Sequence, residues 1–93
     1  MSYTDVIKEA CRLFEVHERD LLGPTKYDFI IRARFAVCKA LVDRGNSQTV
    51  VGKWINRNRT TVRHALIKAD YLMRHNPDYR AKVQRLTQLG VKQ

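Results

Sequence analysis

The helical spacing of apolar residues, interrupted by Gly and Pro, is the feature that most constrains the fold of this 93-residue chain. Gly23-Pro24, Gly45 and Asn76-Pro77 divide the chain into short segments. Within these segments apolar residues recur three and four positions apart, as they do on the buried face of an α-helix. No segment shows the sustained alternation of apolar and polar residues that a half-buried strand requires. The sequence therefore predicts an all-α fold.

We expect a single domain, residues 1–93, built as a compact bundle of about six helices. The predicted helices cover residues 3–15, 17–22, 26–44, 48–55, 59–74 and 78–89. Side chains that can accept a hydrogen bond from the free N–H groups of a first turn stand before five of them. These expected N-caps are Ser2, Thr25, Ser47, Asn58 and Asn76.

The candidate core is the set of apolar positions that fall on one side of each predicted helix. Trp54 and Tyr71 are expected in or near this core rather than as stacking platforms, and Cys11 and Cys38 are expected to be reduced thiols. The core positions are Val6, Ala10, Leu13, Phe14, Ile30, Ala33, Val37, Ala40, Leu41, Val51, Ile55, Val62, Leu66, Ala69, Met73, Val83 and Leu86.

Positive charge is concentrated in the middle of the chain. The net charge is +9, with 18 Lys and Arg against 9 Asp and Glu. Residues 1–22 carry more acids than bases, whereas most of the positive excess lies within residues 23–69. Such a distribution is typical of a scaffold that carries a polyanion-binding surface. Charge alone does not choose between DNA, RNA and an anionic membrane.

Several function classes find no support in the sequence. No apolar run approaches the roughly 20 residues of a membrane span, and the N-terminus lacks the features of a secretion signal, so we expect a cytoplasmic protein. His17, His64 and His75 show no metal-ligand spacing with each other or with the cysteines. No nucleophile stands beside a general base, and the acid pairs are poorly spaced for catalysis. We expect no enzyme activity, metal or cofactor.

The segment 47–68 has the order of a helix-turn-helix: a short helix, a tight polar connection at residues 56–58, and a longer helix. On a wheel of about 100° per residue, the apolar positions of the longer helix gather on one side. Arg59, Thr60, Arg63 and His64 then face outward near its N-terminus, where a groove-reading helix presents residues to base edges. This pattern favours sequence-specific binding of double-stranded DNA.

Three rival functions remain open. An RNA or single-strand binder would need aromatic platforms, and the aromatic residues mostly have core spacing. A protein-interaction module would instead capture another replication factor. A membrane-surface helix would need a helix that is both strongly apolar and basic, and none stands out.

Residues 5–86 resemble the C-terminal DNA-binding domain of the bacterial replication initiator DnaA. Residues 14–22 look like the short helix of that family that ends in Leu-Leu, and Arg32-Ala-Arg34 is similar to its Arg-x-Arg. Residues 60–65, Thr-Thr-Val-Arg-His-Ala, match its Thr-Thr-Val-x-His-Ala signature. The resemblance implies a Trp-repressor-like helix-turn-helix that binds an asymmetric DNA box as a monomer, in replication or transcription control. A dimer like the Trp repressor stays an alternative.

By position, the resemblance implies that Lys26 lies at the minor groove, that Thr60, Thr61 and His64 lie at the major groove, and that Lys68 lies near the backbone. Gln48 and Thr49 correspond to a further contact region of the family. The basic residues around the turn and at the start of the long helix complete the set. The expected DNA contacts are Lys26, Arg32, Arg34, Gln48, Thr49, Lys53, Arg57, Asn58, Arg59, Thr60, Thr61, Arg63, His64 and Lys68.

The chain also departs from the family. Asn58-Arg59 replaces the family's Asp-His, and Asn56-Arg57 stands where the family has Gly-Gly in a turn one residue longer. Because Asp accepts from cytosine whereas Asn suits adenine and Arg suits guanine, we expect an altered base preference. The Gly-rich nucleotide-binding loop of the initiator's ATPase is missing from the sequence. The chain is therefore expected to be either an excised domain or a stand-alone protein. Its Met-Ser-Tyr start and its changed motif favour a stand-alone protein of the bacterial nucleoid, or one encoded by a phage or plasmid.

Overall fold

The computed structural model describes residues 3–89, which form an all-helical bundle with a Cα radius of gyration of 11.8 Å. This confirms the predicted fold class, and no strand occurs within the described residues. The six helices are α1 (Tyr3–Phe14), α2 (Glu18–Leu22), α3 (Asp28–Asp43), α4 (Gln48–Trp54), α5 (Arg59–His75) and α6 (Pro77–Thr87).

Three of the predicted N-caps are confirmed. The Ser47 hydroxyl accepts a hydrogen bond from the Val50 N–H at 3.1 Å, at the start of α4. The Asn58 side chain accepts from the Thr61 N–H at 2.8 Å, and that of Asn76 caps α6 in the same way. Each cap satisfies one of the N–H groups that a helix leaves free in its first turn.

The prediction for the start of α3 is wrong. Tyr27 occupies the N-cap position without a side-chain hydrogen bond, and α3 begins at Asp28. Thr25 is not a cap, because the loop before α3 is extended and the Thr25 carbonyl accepts a hydrogen bond from Arg34 instead. The expected cap Ser2 lies outside the described residues.

Two glycines at helix ends have different roles. Gly45, just after α3, has φ +104°, a left-handed conformation that glycine adopts without strain and that is common at helix C-termini. Gly23 does not adopt that conformation, since its φ is −91°. It is required for space, because a Cβ at Gly23 would lie 2.7 Å from the Arg19 carbonyl oxygen.

Helix α3 is the centre of the bundle and packs against the other five helices. The predicted core positions of α3 and α4 are all buried, as are Val62, Ala69, Val83 and Leu86 on α5 and α6. Leu13, Phe14, Leu66 and Met73 are partly buried at its edge. Removing this much apolar surface from water is the main stabilising contribution in a domain of this size.

The thiol and aromatic predictions have mixed outcomes. Cys38 is buried and Cys11 is partly buried, and both are free thiols; burial raises the pKa of Cys38 to about 12. Trp54 is half-buried and stacks on Tyr3, with ring centroids 4.4 Å apart, as expected for a residue at the edge of the core. The prediction for Tyr71 is wrong: it is 60% exposed, and its ring lies against that of His75, with centroids 4.3 Å apart.

Long-range hydrogen bonds hold α6 against the rest of the bundle. The Tyr79 hydroxyl donates to the Arg32 carbonyl at 2.7 Å. Arg44 donates to the carbonyls of Leu86, Thr87 and Leu89 at the end of α6, where a helix leaves carbonyls without intrahelical partners. Helix α6 also packs against α5. None of the helices in the described part of the chain is both long and apolar enough to cross a membrane.

Candidate nucleic-acid interface

Helix α4 is fixed by apolar residues at its C-terminal side. Val51 is fully buried, and Ile55, just after the helix, is 1% exposed. Gly52 lies within α4, on the side against which the backbone of Arg57 and Asn58 packs. A Cβ at Gly52 would lie 2.5 Å from the Arg57 carbonyl oxygen. Glycine is therefore needed at this position, because only a residue without a Cβ allows the two backbone segments to approach this closely.

The connection between α4 and α5 is a tight turn. Asn56 has φ 60°, a left-handed conformation that Asn tolerates better than most residues. The Arg57 N–H then donates to the Gly52 carbonyl at 2.8 Å, and Asn58 caps α5. A short helix, a tight turn and a longer helix thus follow one another in the order that the sequence predicted.

Helix α5 separates its buried and exposed residues as predicted. Val62, Ala65 and Ala69 are buried against the bundle. Arg59, Thr60, Arg63 and His64 are exposed on the first two turns. The N-terminal half of the helix therefore presents two guanidinium groups, a hydroxyl and an imidazole to solvent.

These side chains form one wall of a surface groove of about 720 Å³ between α5 and the start of α4. The groove is open to solvent, so a large partner can enter it along its length. We name it the α4–α5 groove, and its lining residues are Ser47, Gln48, Thr49, Arg59, Thr60, Arg63, His64 and Ile67. Six of the fourteen expected DNA contacts are among them.

The electrostatics of the groove follow from the sequence around it. Residues 44–69 contain six Lys and Arg and no Asp or Glu. Arg59 and Arg63 form no ion pair with any described residue. Their charges are therefore available to an external anion.

The two acids that flank this basic segment are held elsewhere. Asp43 and Asp70 both contact the Lys39 ammonium, at 3.3 Å and 3.1 Å. Those contacts raise the pKa of Lys39 against the opposing effect of its burial. The acids thus neutralise Lys39 rather than the exposed cations of α5.

Arg34 requires a correction, because it does not lie on a DNA-accessible surface. It is 7% exposed. Its Nε donates to the Leu21 carbonyl of α2 at 2.8 Å. Its Nη2 donates to the Asp20 carbonyl, also in α2, and to the carbonyls of Gly23 and Thr25 in the loop between α2 and α3. Arg34 is a structural residue that ties this loop to α3.

Arg57 has a similar role on the other side of the same loop. Its Nη2 donates to the Gly23 carbonyl, and its Nη1 donates to Asn56 and Ile55 carbonyls in the turn. Arg57 therefore joins the helix-turn-helix to the loop before α3. With Lys26 and Thr61 it lines a second cavity, on the opposite flank of α5 from the α4–α5 groove.

The remaining expected contacts lie outside the groove. Lys53 and Asn58 lie together at the turn, and Lys68 is exposed on α5, one turn beyond His64. Arg32 pairs with Asp28 at 2.9 Å and lines a cavity formed with α1 and α6, so the structure does not bring it to this surface.

Two groove residues were missed by the sequence-based list. Ile67, 59% exposed, continues the line of Thr60 and His64 along α5, and its helical spacing was sufficient to identify it. Ser47 was predicted only as a cap, although its position before Gln48 also places it in the groove.

Comparison with known proteins gives no family for the chain. No protein-family profile matches it, and no curated protein matches it at a significant level. The resemblance to the initiator domain therefore rests on the quoted motifs alone. Within residues 3–89, no group of His, Cys, Asp and Glu side chains is arranged to hold a metal ion.

Proposed function

We propose that this protein binds double-stranded DNA in a sequence-selective way, with the N-terminal half of α5 in the major groove. The observation that supports this most directly is the α4–α5 groove, where Arg59, Thr60, Arg63 and His64 are exposed on a helix whose other face is buried. Major grooves admit one α-helix, and the residues near its N-terminus reach the bases.

The chemistry of this face suits base reading as well as phosphate binding. An Arg side chain can donate two hydrogen bonds to O6 and N7 of guanine, and Thr can contact bases through its hydroxyl or its methyl group. Lys53 and Lys68, exposed on either side, are placed to neutralise phosphates without reading sequence.

The resemblance to the initiator domain extends the proposal to replication or transcription control through a short DNA box. The Asn58 side-chain oxygen caps α5 and is therefore not free for a two-point contact with adenine, so we expect the altered preference to depend mainly on Arg59. We expect the selected site to differ from the usual box of the family at the position that Arg59 reaches. Recovery of the unmodified family box would contradict this part of the proposal.

Selection of bound duplexes from a random pool tests the function. We expect enrichment of one short motif, and an asymmetric motif if the protein binds as a monomer; a palindrome would indicate a dimer. The same selection with Arg63→Ala should return a motif with at least one position relaxed, whereas Lys68→Ala should return the wild-type motif. Enrichment of no motif would contradict sequence-selective binding.

A protein-interaction function is the second candidate, and one observation favours it. Tyr27 and Phe29 are 68% and 57% exposed, and their rings stack with centroids 6.2 Å apart, outside the α4–α5 groove. Exposed aromatic pairs are enriched at protein interfaces. If substitutions in the groove leave DNA selectivity intact, this candidate replaces the first.

A further inference from the structure

A second cavity, of about 590 Å³, lies between α3, α5 and the turn that follows α4. Ile31 and Phe35 of α3 form one part of its wall, and Ile55 and Ala65 form another. Its volume falls within the roughly 300–1,000 Å³ of small-molecule sites, which are mostly apolar with a few convergent polar groups.

Three cationic side chains line this mostly apolar cavity, Lys26, Arg34 and Arg57, and two neutral polar residues, Asn56 and Thr61, line it as well. The guanidinium groups of Arg34 and Arg57 lie side by side, because both donate through Nη2 to the carbonyl oxygen of Gly23. No Asp or Glu is among the residues that line the cavity.

The charges of the two arginines are not compensated within the described chain. Neither Arg34 nor Arg57 forms an ion pair with a carboxylate there. Burial, together with the neighbouring Arg57 cation, lowers the pKa of Arg34. The Nη1 group of Arg34 donates to no described residue, although its Nε and Nη2 are bonded to carbonyls.

We propose that this cavity binds a small apolar carboxylate. The ring or hydrocarbon part packs against Ile31, Phe35 and Ala65, and the carboxylate accepts hydrogen bonds from the Nη1 group of Arg34 and from Arg57. An anion there offsets the repulsion between the buried Arg34 charge and the half-buried Arg57 charge through charge-assisted hydrogen bonds. Because the cavity touches the turn before α5, the ligand would also fasten the Gly23 loop to the helix-turn-helix.

Titration of the ¹⁵N-labelled protein with phenylacetate, followed by NMR, tests the proposal without DNA, so its outcome is independent of the proposed function. We expect saturable shifts at Ile31, Phe35 and Ala65, with a Kd on the order of 0.1–1 mM for a ligand of this size. The uncharged isostere 2-phenylethanol should bind at least tenfold more weakly. Equal binding of both compounds, or saturation by neither, would overturn the proposal.

Two further arms identify the ligand class and the residues. Dimethyl phosphate, which has the charge of a DNA phosphodiester and little apolar surface, should bind at least tenfold more weakly than phenylacetate; equal affinity would assign the cavity to the DNA backbone instead. Arg57→Gln should weaken phenylacetate binding about tenfold or more, whereas Arg63→Gln, the same change outside the cavity, should not. Equal effects of the two substitutions would also overturn the proposal.

Discussion

At the level of individual residues, the arginines fall into two groups. One group donates to backbone carbonyls and supports the fold, and the other has no such partner and lies on the candidate interface. Arg34, Arg44 and Arg57 use their guanidinium groups to satisfy backbone carbonyls of loops and helix ends. Arg59 and Arg63 have no such partners in the described chain. A polyanion can therefore recruit the second group without breaking any contact that stabilises the fold.

Arg63→Ala and His64→Ala are expected to reduce discrimination between a cognate and an unrelated duplex by about 1–3 kcal/mol each, because each removes a side chain that we propose contacts bases. Competition binding at constant salt measures this difference. Lys68→Ala is the matched control, and should weaken both duplexes by the same factor. Loss of affinity without loss of discrimination in all three variants would contradict base reading by α5.

Glu9 links α1 to α6 and gives the fold a specific dependence on pH. Hydrogen bonds from Arg12 and Arg85 lower its pKa from 4.5 to about 2, against the smaller opposing effect of burial. A pKa that is lower in the folded state stabilises the fold above pH 4.5, and this contribution is lost as pH falls toward 2.

We therefore expect Glu9→Gln to reduce the free energy of unfolding at pH 7 by about 1 kcal/mol or less, since both arginines are mostly exposed. Urea unfolding of both proteins from pH 7 to pH 2 measures the difference. It should shrink between pH 4.5 and 2, and a difference that stays constant over that range would exclude Glu9 as its source.

For whole elements, the geometry of the helix-turn-helix depends on the contact at Gly52. Alanine is favoured over glycine within a helix by about 1 kcal/mol. At Gly52, however, the added Cβ would meet the Arg57 carbonyl oxygen at 2.5 Å, and a backbone atom cannot move away as a flexible side chain can. Strain should therefore exceed the gain in helix propensity.

Gly52→Ala is expected to lower the free energy of unfolding by about 1–3 kcal/mol, the usual cost of overpacking. Lys53→Ala, the next residue of α4 and exposed, should change it by no more than about 0.5 kcal/mol. Denaturant unfolding of the two variants gives the comparison. A Gly52→Ala protein as stable as the wild type would show that α4 and the turn are not in this close contact.

The elements that the sequence predicted best are those with local signals. Ser47, Asn58 and Asn76 cap helices through hydrogen bonds to residues three positions ahead, so side-chain type alone was sufficient. The outward face of α5 followed from helical spacing. The start of α3 could not be predicted, because the loop before it is held by hydrogen bonds from Arg34, which is 9 and 11 residues away from the loop carbonyls that accept them.

The candidate site was partly predictable for the same reason. The resemblance implies that Gln48 and Thr49 lie near DNA together with α5. In the structure, residues 47–49 and the N-terminal half of α5 line the same groove. The roles of Arg34 and Arg57 were not accessible from the sequence, since a buried arginine bonded to distant carbonyls has the same local pattern as an exposed one. Arg57 reaches a carbonyl 34 residues away.

In the molecule as a whole, the concentration of basic charge predicts a strong effect of salt on DNA binding. If about 4–7 phosphates are neutralised, the logarithm of the association constant should fall with the logarithm of salt concentration with a slope of roughly −4 to −6. Binding measured from 50 to 300 mM KCl gives the slope. A slope near zero would mean that the basic surface is not in contact with the phosphates.

The central claim is that the α4–α5 groove faces the DNA, and NMR of the ¹⁵N-labelled protein with its selected duplex tests it most directly. Our account expects the largest amide shifts and line broadening at residues 47–49 and 59–67, with little change along α1 and α6. Large shifts centred on α1 and α6, with residues 59–67 unaffected, would contradict it.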